Sequence, residues 1–310
     1  MTVARSVTES LRPPAEPSDL PRRRGLVLGL GLLAGLAIAV LWSAQLADDA
    51  IGVTTANGLL GQDAATANLS GTVTGLVFAF VTGLAGTFTA CNVAVFSAVA
   101  PMLETGRQSA ASRLAQALRP MGWIALGAAV VAGAYGAIGA LLGSKLPQLS
   151  TATVGTAPVR VLQSIAVFGV IGLVMLYLGI AALGLVPDPL GRASARTRQL
   201  VMGALVGGFL IGRPWPLFHK MFLYAASTHN AAFGAATFVL VVIGNMLVLG
   251  ALFLVLSLTP LPRWLRARPG RVAAVTSSAL IIGGAFTVAY WCLRVPAHFG
   301  VGWFPAMPWH

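Results

Sequence analysis

Along this chain, long apolar runs alternate with short polar intervals. The runs span residues 25–47, 71–100, 121–143, 161–186, 201–225, 231–258 and 272–293. A helix needs about 20 predominantly apolar residues to cross a hydrocarbon core, and each run is long enough. The pattern predicts seven transmembrane helices in an all-α, polytopic membrane protein. Residues 1–24 are polar and proline-bearing and end in "PRRR". They carry too little apolar surface to fold and predict a disordered cytoplasmic tail. The run at 25–47 exceeds the roughly 7–15 residues of a signal-peptide core, so it predicts an N-terminal transmembrane anchor.

Composition supports the same class. Of 310 residues, 57% are hydrophobic and 9% charged, with a mean hydropathy of +0.83. Soluble domains carry about 25% charged residues, and the deficit here leaves most of the surface to face lipid. The net charge of +12 falls in short arginine clusters between the runs, with no aromatic-rich basic patch, which argues against nucleic-acid binding. Fifteen of the twenty Lys/Arg lie in the tail or in the intervals around 107–119, 192–198 and 263–271. These are alternate intervals, and the positive-inside rule makes them cytoplasmic. The expected arrangement is a multi-pass protein of the cell membrane, N-terminus inside and C-terminus outside. The linker 48–70 holds Asp48, Asp49 and Asp63 and no basic residue, and lies outside on this reading. So does the tail 294–310, whose Trp303 and Trp309 suit the outer interface.

Glycine recurs at Gly25/Gly29, Gly31/Gly35 and Gly139/Gly143, spacings that let helices approach closely in lipid. With the anchor set aside, the remaining six runs form two groups of three, 71–186 and 201–293. The first group begins outside and the second inside, so the two are inverted. The opening run of each is interrupted, by "GTFTACN" at 86–92 and by "GRPWPLF" at 212–218. Matched breaks in inverted repeats predict a functional centre at the bilayer midplane, where the breaks face one another.

The candidate residues follow from the breaks. In the first, Cys91 is accompanied by Thr87, Thr89 and Asn92. A thiol in apolar surroundings is inert, whereas a nearby cation favours the reactive thiolate. In the second, Pro214 and Pro216 shape the break, and Trp215 either fills the cavity or stacks on a ligand. Arg213 lies midway along its run, where an arginine costs about 2.5–3.5 kcal/mol. No acidic residue occurs in any run. Its charge must therefore meet backbone carbonyls, a thiolate or an anionic ligand, unless the side chain snorkels to the interface. Cys292 reads as a small packing residue. Two cysteines make neither a disulfide framework nor a metal-type spacing, and no cofactor is implied.

The stretches "FVTGLAGTFTACNVAVF", "VRVLQSIAVFGVIGLVMLYLGIAALGL" and "VMGALVGGFLIGRPWPLFHKMFLYAASTHNAAFGAATFVLVVIGNMLVLGALFLVL" resemble the cytochrome c biogenesis transmembrane family, which includes CcdA and the membrane domain of DsbD. The resemblance implies two inverted three-helix repeats, each opening on a Pro-Cys pair. In that family the two cysteines form a disulfide that passes reducing equivalents from cytoplasmic thioredoxin to thiols outside. Here Ala90 stands in the place of the first proline and Trp215 in that of the second cysteine. The resemblance thus implies a thiol–disulfide oxidoreductase reduced to one thiol, Cys91, acting with thioredoxin-like partners that must resolve any mixed disulfide. Two other functions stay open: a transporter or exporter of a small anionic or thiol-bearing solute on the same scaffold, and a non-catalytic membrane assembly subunit. The oligomeric state is not legible.

Overall fold

The computed structural model describes residues 20–21, 23–88, 110–258 and 270–305 together with Met307. Most of the N-terminal tail, the stretch holding Thr89, Cys91 and Asn92, and the arginines at 263–268 lie outside the described residues.

The runs fold as helices. Helix α1 spans Arg24–Leu41 and stops where Trp42 turns extended. The end of the first run joins the linker instead. Gln45–Val53 is wound as a π-helix and continues into α2, Thr54–Leu60, which Gly61 ends at φ +66°. Left-handed backbone at that position suits glycine. Helix α3, Thr72–Ala85, ends in a 3₁₀ turn at Gly86–Phe88. Helix α4, Ala110–Leu142, contains Pro120. A small hairpin, β1 (Thr153–Val154) and β2 (Ala157–Pro158), leads into α5, Val159–Ala182. Ser194 caps α6, Ala195–Ile211, accepting from the Thr197 amide at 3.2 Å. Helix α7 covers Pro216–Ser227, with proline at its first position, where a missing N–H costs nothing. Helices α8, Ala231–Leu258, and α9, Arg271–Val288, follow. A π-wound turn at Ala289–Arg294 and α10, Val295–His298, close the bundle.

This is a polytopic all-α membrane fold. Among the described residues, five helices are long and apolar enough to span, and α6 with α7 makes a sixth if the pair is counted as one bent span. The opening helix of the first group, α3, has 14 described residues.

Close approaches at glycine fix the relative directions of the helices. Gly136 meets Gly234 and Met121 meets Gly250, so α4 and α8 are antiparallel. Ile124 meets Gly203 and Ala128 meets Gly207, so α4 and α6 are parallel. Gly75 meets Phe233 and Gly83 meets Val241, which makes α3 and α8 parallel. Helix α5 runs against α9 (Gly172 on Gly284, Gly179 on Ile281) and against α6 (Ser164 on Gly212, Ile171 on Gly208). Finally, α1 lies parallel to α9 through Gly31 on Ile281 and Gly35 on Ala285. Helices α1, α4, α6 and α9 therefore run one way, and α3, α5 and α8 the other.

That set of directions is an inverted three-plus-three repeat. Exchanging the two groups maps the α3–α8 contact onto the α6–α4 contact and returns α4–α8 and α5–α9 to themselves. The spacing that sets Cys91 opposite Trp215 also sets Gly83 opposite Gly207. Each of these glycines lies against the middle helix of the other group, where an added Cβ would collide with the carbonyl oxygen of Val241 or Ala128. One end of the bundle gathers the 45–71 linker, the β-hairpin and the C-terminal tail, which Thr156 Oγ1 joins by donating to the Phe299 carbonyl at 2.7 Å. This end is called the linker face below, and the opposite end the basic face.

Candidate functional site

Pro214 and Pro216 have no N–H to offer the carbonyls of Leu210 and Gly212, so α6 cannot continue. The chain turns through 88° between α6 and α7. Turning leaves backbone carbonyls without helical donors in a region poor in water, and unmet ones are costly there. Three side chains meet them in order. Gln163 Nε2 donates to Ile211 O at 2.8 Å, Ser164 Oγ to Gly212 O, and Gln148 Nε2 to Arg213 O at 2.9 Å. Gln163 Nε2 also reaches the Tyr135 hydroxyl oxygen at 3.1 Å. All three clamping residues come from the first group, two from the start of α5 and one from the connection before it. The second group's break is thus finished by the first.

Arg213 is 7% exposed, and its guanidinium points into the bundle. Nη2 donates to the Gly86 carbonyl at 3.0 Å, and Cζ stands 4.8 Å over the Trp215 ring. A Cβ at Gly86 would lie 2.8 and 2.9 Å from the two terminal nitrogens, so a side chain there would push the guanidinium from this place. Of the ways to meet the arginine charge, the structure shows a backbone carbonyl and an aromatic face. Snorkelling to the basic face does not occur.

Ser164 is five residues into α5, about 8 Å from its linker-face end at 1.5 Å per residue. The backbone of the second break therefore lies near the linker-face end of α5. Gly86 lies fourteen residues beyond Thr72, about 21 Å along its own helix. The breaks are staggered, and the long side chain of Arg213 closes the gap between them.

Trp215 is 2% exposed and fills its site. Its Nε1 donates to the Asp48 carbonyl at 3.2 Å, and a Cβ at Gly52 would stand 3.0 Å from Cζ2. The linker 48–70, expected on the outer side, folds over the break from the linker face. Pro214 and Pro216 are exposed and act through backbone geometry. Thr87 is buried, with its hydroxyl turned back onto Gly83 O at 3.2 Å. Cys292 is half-buried and packs on α5, where a Cβ at Gly169 would come within 2.9 Å of Sγ. His219, one turn beyond Trp215, has a buried Nδ1 with no hydrogen-bond partner. A cavity of about 360 Å³ opens among Thr72, Leu76, Tyr224, Asn230 and Phe233 at the linker face and includes no residue of either break.

Sequence reasoning missed Gln148, Gln163 and Ser164. A signal was present for two of them, because Gln163 and Ser164 are adjacent polar residues inside an apolar run. Compared with known proteins, the chain matches no family model, no curated protein and no solved structure.

Proposed function

We propose that this chain is a multi-pass protein of the cell membrane, with its N-terminus cytoplasmic, that takes part in thiol–disulfide exchange through a single thiol, Cys91, assisted by Arg213. The observation that carries the reading is the buried guanidinium of the second group bonded to Gly86, the residue that opens the stretch leading to Cys91. A fixed cation beside that stretch favours a thiolate over a thiol. The resemblance to the cytochrome c biogenesis transmembrane family supplies the reaction class, and the arginine-rich intervals supply the orientation.

In this mechanism the Cys91 thiolate attacks one sulfur of a partner's disulfide. A Cys91–partner disulfide forms, and the partner's other sulfur leaves as a thiolate. Trp215 occupies the position where the family's second cysteine would resolve that adduct. Resolution therefore falls to an external thiolate of a thioredoxin-like protein, which attacks the partner sulfur, forms a new disulfide with it and returns Cys91 as thiolate. Electrons pass between partners, and none are stored in this chain.

Trapping tests the reading. In cells expressing Cys292→Ser, acid quenching and alkylation are expected to preserve a Cys91 adduct that runs above the free protein on a non-reducing gel. The adduct collapses with reductant and is absent from Cys91→Ser. No adduct, with Cys91→Ser fully functional, would remove the reading. If function then still depended on Arg213, passage of a small anionic solute would be favoured instead.

A further inference from the structure

The segment from Gln45 to Ala67 covers the second break from the linker face, and its manner of attachment is unusual. The side chains it buries are small: Ala47, Ala56, Ala64 and Ala67, with Gly52 lying against the Trp215 ring. Its larger apolar residues point away from the protein, Leu46 being 60% exposed, Leu59 53% and Ile51 41%. Only Val53 and Leu60 pack partly against the core. Apolar adhesion scales with buried area, at about 25 cal/mol per Å², and a face of alanine and glycine provides little.

What holds the segment is polar. Trp215 Nε1 donates to Asp48 O, and Lys220 Nζ donates to Ala64 O at 2.9 Å and to Ala65 O at 2.7 Å. Both donors lie at the start of α7, Trp215 as its N-cap residue, so the three bonds pin the segment to the same side of the break. Regular helix is interrupted on both sides of the segment's main helical stretch. Trp42 and Ser43 interrupt the path from α1, and Gly61 (φ +66°) and Gly71 (φ +83°) bracket the approach to α3. The nine-residue π-winding at Gln45–Val53 is a rare geometry, frequent at functional sites.

We propose that residues 45–67 form a lid that closes the linker-face route to Trp215 and Arg213, with the Lys220 ammonium as its latch. Closed, the lid leaves Trp215 buried between Gly52 and the guanidinium. Lifting it breaks these three hydrogen bonds to backbone carbonyls, parts the small side chains of the lid from the core, and opens the indole and Arg213 to the linker face. The proposal concerns access alone and holds whether or not Cys91 performs disulfide chemistry.

The test uses the full chain in nanodiscs, so that both faces meet the reagent, in a Cys91→Ser, Cys292→Ser background. Leu217 shares the buried cluster of Trp215, Ala56 and Ala64, and Leu217→Cys reports on the space beneath the lid. Maleimide labelling is expected to be slow in this parent, at least tenfold faster with Lys220→Ala, and slow again with Lys220→Arg, which restores donors. Equal rates with and without Lys220→Ala, or rapid labelling already in the parent, overturn the lid. Should the cysteine variant fail to fold, hydrogen exchange on the otherwise unaltered chain decides. Lys220→Ala is expected to speed exchange at residues 52–60 while residues 124–140 of α4 stay unchanged, and unchanged exchange at 52–60 overturns the proposal.

Discussion

The two breaks have corresponding places in the inverted repeat yet are built by opposite means. The second is made by proline: two missing donors bend the chain through 88°, and Gln163, Ser164 and Gln148 meet the carbonyls left behind. The first is made by glycine. At Gly83 the chain comes so close to the Val241 backbone that no side chain fits, at Gly86 it leaves room for the Arg213 guanidinium, and the helix tightens into a 3₁₀ turn at Gly86–Phe88. One break depends on polar partners and the other on absent atoms. The comparison teaches that equivalent interruptions in a repeat need not be chemically equivalent. The asymmetry lets a charged side chain from one break rest on the backbone of the other.

Substitutions that empty, overfill or unpair a break should separate the two modes. The largest loss is expected from Trp215→Ala, which removes the filler of the second break. Truncating a buried tryptophan costs about 3–5 kcal/mol, seen as loss of folded protein in thermal melts in detergent. Retention of the full melting temperature would show that Trp215 is not structural. Next comes overfilling the first break. Gly83→Val pushes a side chain into the Val241 carbonyl and should cost about 3 kcal/mol, whereas valine at Gly29, which has nothing within 4 Å, should change the melt little.

Unpairing follows. Gln163→Leu strands the Ile211 carbonyl and should cost about 2 kcal/mol, within the range for an unmet buried polar group. Thr87→Val removes a hydroxyl that donates to Gly83 O of its own helix and should cost about 0.5 kcal/mol, given the modest hydrogen-bond values found within membranes. Equal losses from these two variants, in parallel chemical-denaturation curves, would erase the distinction between the breaks. An effect as small as that of Thr87→Val is expected from Pro216→Ala. It relaxes the unfolded chain without disturbing the native turn and should lower stability by about 0.5 kcal/mol.

The helices and their alternation were legible because apolar length and arginine placement are properties of the chain alone. The second break was legible for the same reason, since proline states its backbone consequences locally, whereas residues 89–92 of the first lie outside the described residues. Glycine spacing was less reliable. Of the three pairs singled out, Gly31/Gly35 packs fully against α9, Gly139 lies on Phe222 with Gly143 free at φ +52°, and Gly25/Gly29 touches nothing. A spacing marks a possible contact face, but only the position of the partner helix decides which face is used.

The clamp and the lid escaped detection for a different reason. Gln148 becomes structural only when its connection folds back on Arg213, more than sixty residues later in the chain. Asp48 enters through its carbonyl rather than its side chain, so its residue type carried no signal. Leu46, Ile51 and Leu59 point outward, which hid the linker helix behind an ordinary loop composition.

The central claim is that Arg213 joins the two breaks and favours the thiolate of Cys91. The most direct measurement is the rate of Cys91 alkylation against pH in Cys292→Ser protein, with and without Arg213→Gln. The account predicts a higher apparent pKa once the guanidinium is gone, so that alkylation near neutral pH slows while the rate at high pH is retained. Superimposable pH profiles in the two proteins would contradict it.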